Sequence, residues 1–238
     1  MNRPPSRRLT PIRQLVEVMA ILRSPSGCPW DREQDHQSLR FHAIEEVYEL
    51  IDAIEAGDDH EMSEELGDLL LQVVFHCQLA RERKAFDLDR VVQGLVDKLL
   101  RRHPHVFGET QVSNVDEVWA HWDRIKRAEK AGTPHERPSA LDGIPKHLPS
   151  LLRAEKLVKK ARKSGLVAGV DPAVRGGGSK GARGGRGDVA RQLFDLVASA
   201  QARGWSAEEL LRGEIGRRER GWRAAERRAA GSDSPAGH

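Results

Sequence analysis

The chain has 238 residues, 32% of them charged and 38% hydrophobic, enough for one or two domains with a real core. No apolar run reaches the length of a membrane span, and no signal-type apolar stretch follows the first residues. Cys28 and Cys77 fit no metal-ligand pattern, so a disulfide-stapled secreted scaffold is excluded and reduced thiols in the cytoplasm are expected. The net charge of +3 hides an uneven distribution: residues 1–150 carry 20 Lys+Arg against 26 Asp+Glu, and residues 151–238 carry 19 against 10. An acidic front is joined to a basic rear.

Residues 1–9 are rich in Pro and Arg and are expected to be disordered. Ile12, Leu15, Val16, Met19 and Leu22 recur at helical spacing, which predicts a helix over 10–22 with Thr10 as N-cap and Pro11 in its first turn. Residues 24–31 (S-P-S-G-C-P-W-D) read as a loop. Trp30 in it is either a plug for the core or an exposed ring able to stack on a base.

Two amphipathic helices are predicted next, over 37–56 and 59–82, separated at Gly57, a residue suited to a helix C-cap. Glu46 with Glu49, and Glu65 with Asp68, are spaced i,i+3, so each pair shares a helix face. Each pair lies roughly 10–12 Å along its helix from the turn, at about 1.5 Å per residue. An antiparallel hairpin therefore brings the pairs level. Four facing carboxylates repel unless a cation sits between them, and an all-oxygen set suits Mg²⁺, with Mn²⁺ as a substitute. The competing reading is a solvated acidic face. His42 is four residues before Glu46, on the same side of the helix.

A third helix over 88–101 is expected to bury Val91, Val92, Leu95, Val96 and Leu99, with Lys98 and Arg102 near its end. Cations there are favoured by the helix dipole alone. A fourth helix over 115–130 carries Trp119, Trp122 and Lys126. Four such helices make a bundle with the carboxylates between facing helices.

These motifs together resemble the MazG family of nucleoside triphosphate pyrophosphohydrolases. The resemblance rests on E-E-x-x-E at 45–49, E-x-x-D at 65–68, G-C-P-W-D-x-E-Q at 27–34, K-L-x-R-R-H-P-H-V-F at 98–107 and W-D-R-I-K at 122–126. It implies an all-α fold and Mg²⁺-dependent cleavage of a nucleoside triphosphate into monophosphate and pyrophosphate. Glu46, Glu49, Glu65 and Asp68 would hold the metal, with Glu45 beside them as a candidate to orient the attacking water. Lys98 and Arg102 would hold the triphosphate. His42, Trp30, Trp122 and Lys126 join them as candidate substrate contacts, as does Glu61, which stands where other members carry a phosphate-contacting lysine. The resemblance also implies a homodimer. A narrow pyrimidine nucleotidase of the dUTPase or dCTPase kind is the alternative enzyme. A regulator binding nucleotides or nucleic acid through the basic rear is the non-enzyme alternative.

The expected organisation is a catalytic domain over 10–131, a Pro-rich linker over 132–150, a basic helix over 151–166, a Gly/Arg-rich flexible linker over 167–187, a second repeat over 188–230 and a tail. Gly176, Gly178 and Gly181 match a dinucleotide-binding string, but no strand pattern precedes them. In the repeat, Leu193-Phe194-x-Leu196-Val197 lies under Leu70-Leu71-x-Val73-Val74, which puts Asp188 under Glu65 and Arg191 under Asp68. The repeat keeps the packing residues and loses the acidic pairs, so it is expected to be degenerate.

Overall fold

The structure is a computed structural model that describes residues 4–134, 136–166 and 185–232, with side chains described as far as residue 224. Among them there are helices and turns and no strand. The Gly176–Gly178–Gly181 string and most of the expected Gly/Arg-rich linker lie outside the described residues. The chain divides into two compact units, Met1–Trp122 and Asp123–His238.

In the first unit α1 spans Pro11–Leu22, α2 Pro29–Glu33, α3 His42–Ala56, α4 Asp59–Glu82, α5 Leu88–Arg102 and α6 Pro104–Phe107. α7, Val115–Ala128, begins here and runs into the second unit. α4 is the central element, with α1, α3 and α5 packed against it. The core joins Met19 of α1, Leu39, Val74, Phe75, Cys77 and Leu79 of α4, and Leu88 of α5.

The helix ends follow from local chemistry. Gly57 ends α3 in the left-handed region at φ +68°, where a side chain would be strained. The Asp58 carboxylate then accepts from the amides of His60 and Glu61 to start α4, and Asp87 accepts from Arg90 to start α5. Thr10 stands at the N-cap of α1 without a side-chain cap bond. The helix predicted from residue 37 starts instead at His42. Asp35 takes up the amides of Gln37 and Ser38 and sets a short 3₁₀ turn, Ser38–Arg40, ahead of it. Those amide bonds hold the Asp35 carboxyl below its ordinary pKa.

The expected loop at 24–31 is partly helical, with Pro29 opening α2. Gly27 is required there for space: a Cβ would sit 2.1 Å from the Leu22 carbonyl oxygen. Arg23 fastens this corner. Its guanidinium donates to both carboxylate oxygens of Glu82 at 2.8 Å and to the carbonyls of Asp31 and Gln34, and it lies 5.5 Å over the Phe75 ring. The Arg23 bond lowers the pKa of Glu82.

One expectation fails. Val91, Val92, Leu95, Val96 and Leu99 are 39–49% exposed, and of α5 only Leu88 is buried. The apolar stripe of α5 is real, but among the described residues of the first unit no element buries it. Leu66, Leu70 and Val73 of α4 are exposed in the same way.

The second unit contains α8 (Ser150–Lys163), α9 (Arg186–Ala202) and α10 (Ala207–Ser232), each packed on the other two. Val158, Val197, Ala198 and Ala200 form its buried centre. Arg162 of α8 donates to the Ala198 carbonyl and to Gln201 Oε1 of α9, at 2.9 and 2.6 Å. No helix among the described residues is long and apolar enough to cross a membrane.

Candidate active site

The site is the face between α3 and α4. The tight turn at Gly57–Asp58 folds the two helices back on each other, so their acidic pairs meet. Glu46, Glu49 and Glu65 each bring a carboxylate oxygen within 4.8 Å of the others. Asp68 is outside that trio, yet its charge raises the pKa of both Glu46 and Glu65.

The electrostatics are those of a site missing positive charge. Burial is the largest cause raising the pKa of Glu46, and Asp68 and Glu49 add to it. Gln72 and His42 act the other way. Glu65 is raised first by burial, then by Glu49, Asp68, Glu46 and Glu61. Its Oε2 is buried without a hydrogen-bond partner. A buried, unpartnered carboxylate oxygen facing other carboxylates is costly unless a cation compensates it. These residues therefore fit a hard divalent cation, for which carboxylate oxygens are the usual ligands.

The other predicted residues distribute unevenly around the trio. Glu45 is exposed and pairs with His42 Nδ1 at 3.2 Å, so it is not one of the clustered carboxylates. The His42 ring also meets Trp30 edge-on, with centroids 6.0 Å apart. Trp30 leans edge-on to Phe75 at 6.5 Å and is 52% exposed, so it is neither a plug nor fully free. Glu61 sits in the first turn of α4, where it forms an exposed acidic set with His60 and Glu64. Lys98 and Arg102 are half-buried near the end of α5 and are not among the groups that shift Glu46 and Glu65 most. Trp122 packs edge-on against Trp119 and His103, at 5.3 and 5.0 Å. Lys126, in the second unit, adds to the Lys163 hydrogen bond that chiefly lowers the pKa of Asp123.

Sequence reasoning missed Gln72. Its amide nitrogen lies 3.3 Å from Glu46 Oε1 across the hairpin. The available signal was a polar residue set inside the apolar run Leu69-Leu70-Leu71-Gln72-Val73-Val74, one turn beyond Asp68.

A family model described as the MazG nucleotide pyrophosphohydrolase domain matches residues 34–107, the stretch that holds this site. A 26.1 kDa protein in the blaB 3' region of Streptomyces cacaoi is 42% identical over 200 residues, which cover 83% of this chain and 75% of that protein. The chain belongs to the MazG family. Its relatives include the nucleoside triphosphate pyrophosphohydrolase of Escherichia coli K12, 44% identical over 65% of this chain, and the protein YabN of Bacillus subtilis, 49% identical over 60%. The chain spans 59% of the first of these and 28% of the second. The MazG match coincides with the hairpin and α5, so the all-α architecture and the carboxylate face belong to the same segment.

Proposed function

We propose that this chain hydrolyses nucleoside triphosphates between the α and β phosphates, releasing the monophosphate and pyrophosphate, as a housecleaning activity on the cytoplasmic nucleotide pool. The observation that carries this reading is the carboxylate trio Glu46, Glu49 and Glu65 inside the matched domain. The names of relatives such as the Escherichia coli enzyme support the reaction class.

Glu46, Glu49 and Glu65, with Asp68 beside them, would hold Mg²⁺, or Mn²⁺ in its place. A divalent ion there supplies charge that offsets the phosphates and makes water a better nucleophile. The chain's own groups do the rest. Lys98 and Arg102 would neutralise the leaving pyrophosphate through charge-assisted hydrogen bonds. The charge of His42 works against the upward shift that burial gives Glu46, and its ring meets Trp30 of α2 edge-on. Glu45 would be held by His42 rather than poised to take a proton.

The same reading assigns the exposed stripes of α4 and α5 to a second copy of the chain. Leu66, Leu70, Val73, Leu95 and Leu99 are 40–50% exposed, more apolar surface than isolated exposed side chains would leave. We read a homodimer in which these faces cover each other. The rear becomes a degenerate repeat without metal chemistry. Asp188, the acid left at the positions aligned with Glu65 and Asp68, accepts from the Gly185 amide and pairs with Arg191, so both its oxygens are engaged.

Pyrophosphate release from the eight common NTPs and dNTPs, and from dUTP, with Mg²⁺ tests the proposal. Turnover of several of them is expected. Release from dUTP or dCTP alone would favour the narrow pyrimidine enzyme, and release from none would sink the reading.

A further inference from the structure

Gln72 is the polar side chain buried with the core among the described residues, at 8% exposure. It sits on α4 one turn beyond Asp68, with buried Val74 and Phe75 close by in sequence. Burying an amide is costly unless both of its ends find partners. Only one end does. The Nε2 donates to Glu46 Oε1 at 3.3 Å, whereas Oε1 is buried without a partner. For packing alone, an unbranched apolar side chain of the same length would serve better at this position.

The orientation of the amide is forced. Turned over, its carbonyl oxygen would face the Glu46 carboxylate, and two acceptors repel. The N–H therefore points across the hairpin from α4 to α3 and occupies one of the two oxygens of Glu46. A carboxylate on a free side chain can swing away from like charges, and Glu49, Glu65 and Asp68 all push Glu46 to do so. A donor anchored in the core opposes that movement. Outer partners of this kind commonly fix the geometry of metal-ligating side chains.

We propose that Gln72 is a positioning residue whose amide N–H holds the Glu46 carboxylate beside Glu49 and Glu65 for cation binding, at a cost in stability. This inference rests on the metal reading of the carboxylate trio.

The two quantities that test it move in opposite directions. The full chain is titrated with Mn²⁺ alone by calorimetry and melted without metal, as wild type and as Gln72→Met, Gln72→Asn and Glu49→Ala. Gln72→Met keeps the length and removes the donor, so Mn²⁺ affinity falls about 10- to 100-fold while the Tm of the metal-free protein holds or rises. Gln72→Asn keeps the amide but withdraws it by one methylene, and it loses affinity in the same direction. Mn²⁺ affinity within twofold of wild type in either folded variant overturns the proposal. Metal-free Tm values lowered in both variants overturn it too, because they make the residue a packing element. If wild type and Glu49→Ala bind Mn²⁺ alike, the metal reading itself fails and takes this inference with it. Tight binding by wild type and Gln72→Met with weak binding by Glu49→Ala removes only the role of Gln72.

Discussion

Helices α4 and α9 present the same packing stripe with different chemistry beside it. In the register that places Val197 under Val74, both valines are 2% exposed. Phe75 and Cys77 are buried, and so are Ala198 and Ala200 at the matching positions. Leu70 and Val73 face outward, as do Leu193 and Leu196. Beside this common stripe the two helices part: Glu65 gives way to Asp188, Asp68 to Arg191, Gln72 to Asp195 and His76 to Ser199. Their neighbours diverge as well. Across from α4, α3 offers Glu46 to Gln72; across from α9, α8 offers the cation Arg162 to Gln201. The buried stripe of a helix determines how it packs, and the adjoining face determines what it can bind. One can be kept while the other is lost.

The widest separation between the two halves should appear at the carboxylates. Glu49→Ala or Asp68→Ala removes charge that the proposed cation needs, and pyrophosphate release should fall by about three orders of magnitude or more, several kcal/mol of lost stabilisation. Asp188→Ala, at the position matching Glu65, should leave turnover unchanged. Retention of more than about a tenth of the activity in both front variants would erase the contrast. At the proposed phosphate contacts, Lys98→Ala and Arg102→Ala should each cost about 1.5–3 kcal/mol, roughly ten- to hundredfold in kcat/KM. Arg217→Ala and Arg218→Ala, on the basic α10, should not. Wild-type kinetics in both α5 variants would leave Lys98 and Arg102 as dipole-complementing residues only.

Much of the hairpin was legible because its signals are local. Gly57 and Asp58 mark the turn through backbone conformation and capping, and the i,i+3 acids mark a face regardless of what surrounds them. The α5 stripe was legible as a stripe but not as an exposed one. Periodicity shows which residues share a face and says nothing about what covers it, so Val91, Leu95 and Leu99 read the same whether they meet a core or a second chain. The 3₁₀ turn ahead of α3 was hidden because it depends on one side chain, Asp35, competing for amides. Gln72 was hidden for a different reason. Its role comes from a contact across the hairpin, and inside an apolar run it counts only as an interruption.

If the shared stripe is what holds each half together, its centre should be equally sensitive in both. Val74→Ala and Val197→Ala each remove two buried carbons from sites of equal exposure, and each should cost about 1.5–3 kcal/mol. Native-state hydrogen exchange, followed peptide by peptide, should show the loss in α4 for the first variant and in α9 for the second. A loss near zero at Val197 would mean that the rear helices pack too loosely for the correspondence to have energetic content.

The smallest effect expected is one of pH, and it comes from the position where His76 faces Ser199 in the comparison. His76 Nδ1 lies 2.9 Å from His36 Nδ1, with the rings stacked at 5.1 Å and 12°. Two ring nitrogens that close share one proton, so one imidazole donates and the other accepts. Protonating both rings would place two cations in contact, and the Nε2 of His36 is buried without a partner to help carry charge. Burial, and then the charge of His36, hold the pKa of His76 below its ordinary value of 6.5. The sign follows from where protons bind. As pH falls through about 6.5, the unfolded chain takes up a proton at His76 before the folded chain does, so stability drops, by at most ~1.4 kcal/mol per pH unit for one site. Above that range the contribution is constant, and once the folded His76 protonates the decline stops. Glu82, whose pKa Arg23 lowers, adds its own loss only below about pH 4.5. Exchange protection in α4, corrected for intrinsic rates, should therefore weaken between pH 7.5 and 5.5, while α9, with Ser199 in the matching place, should hold steady. His76→Ser should make the two helices respond alike. A slope in α4 that survives that substitution would move the acid sensitivity to another group and leave the histidine pair as packing.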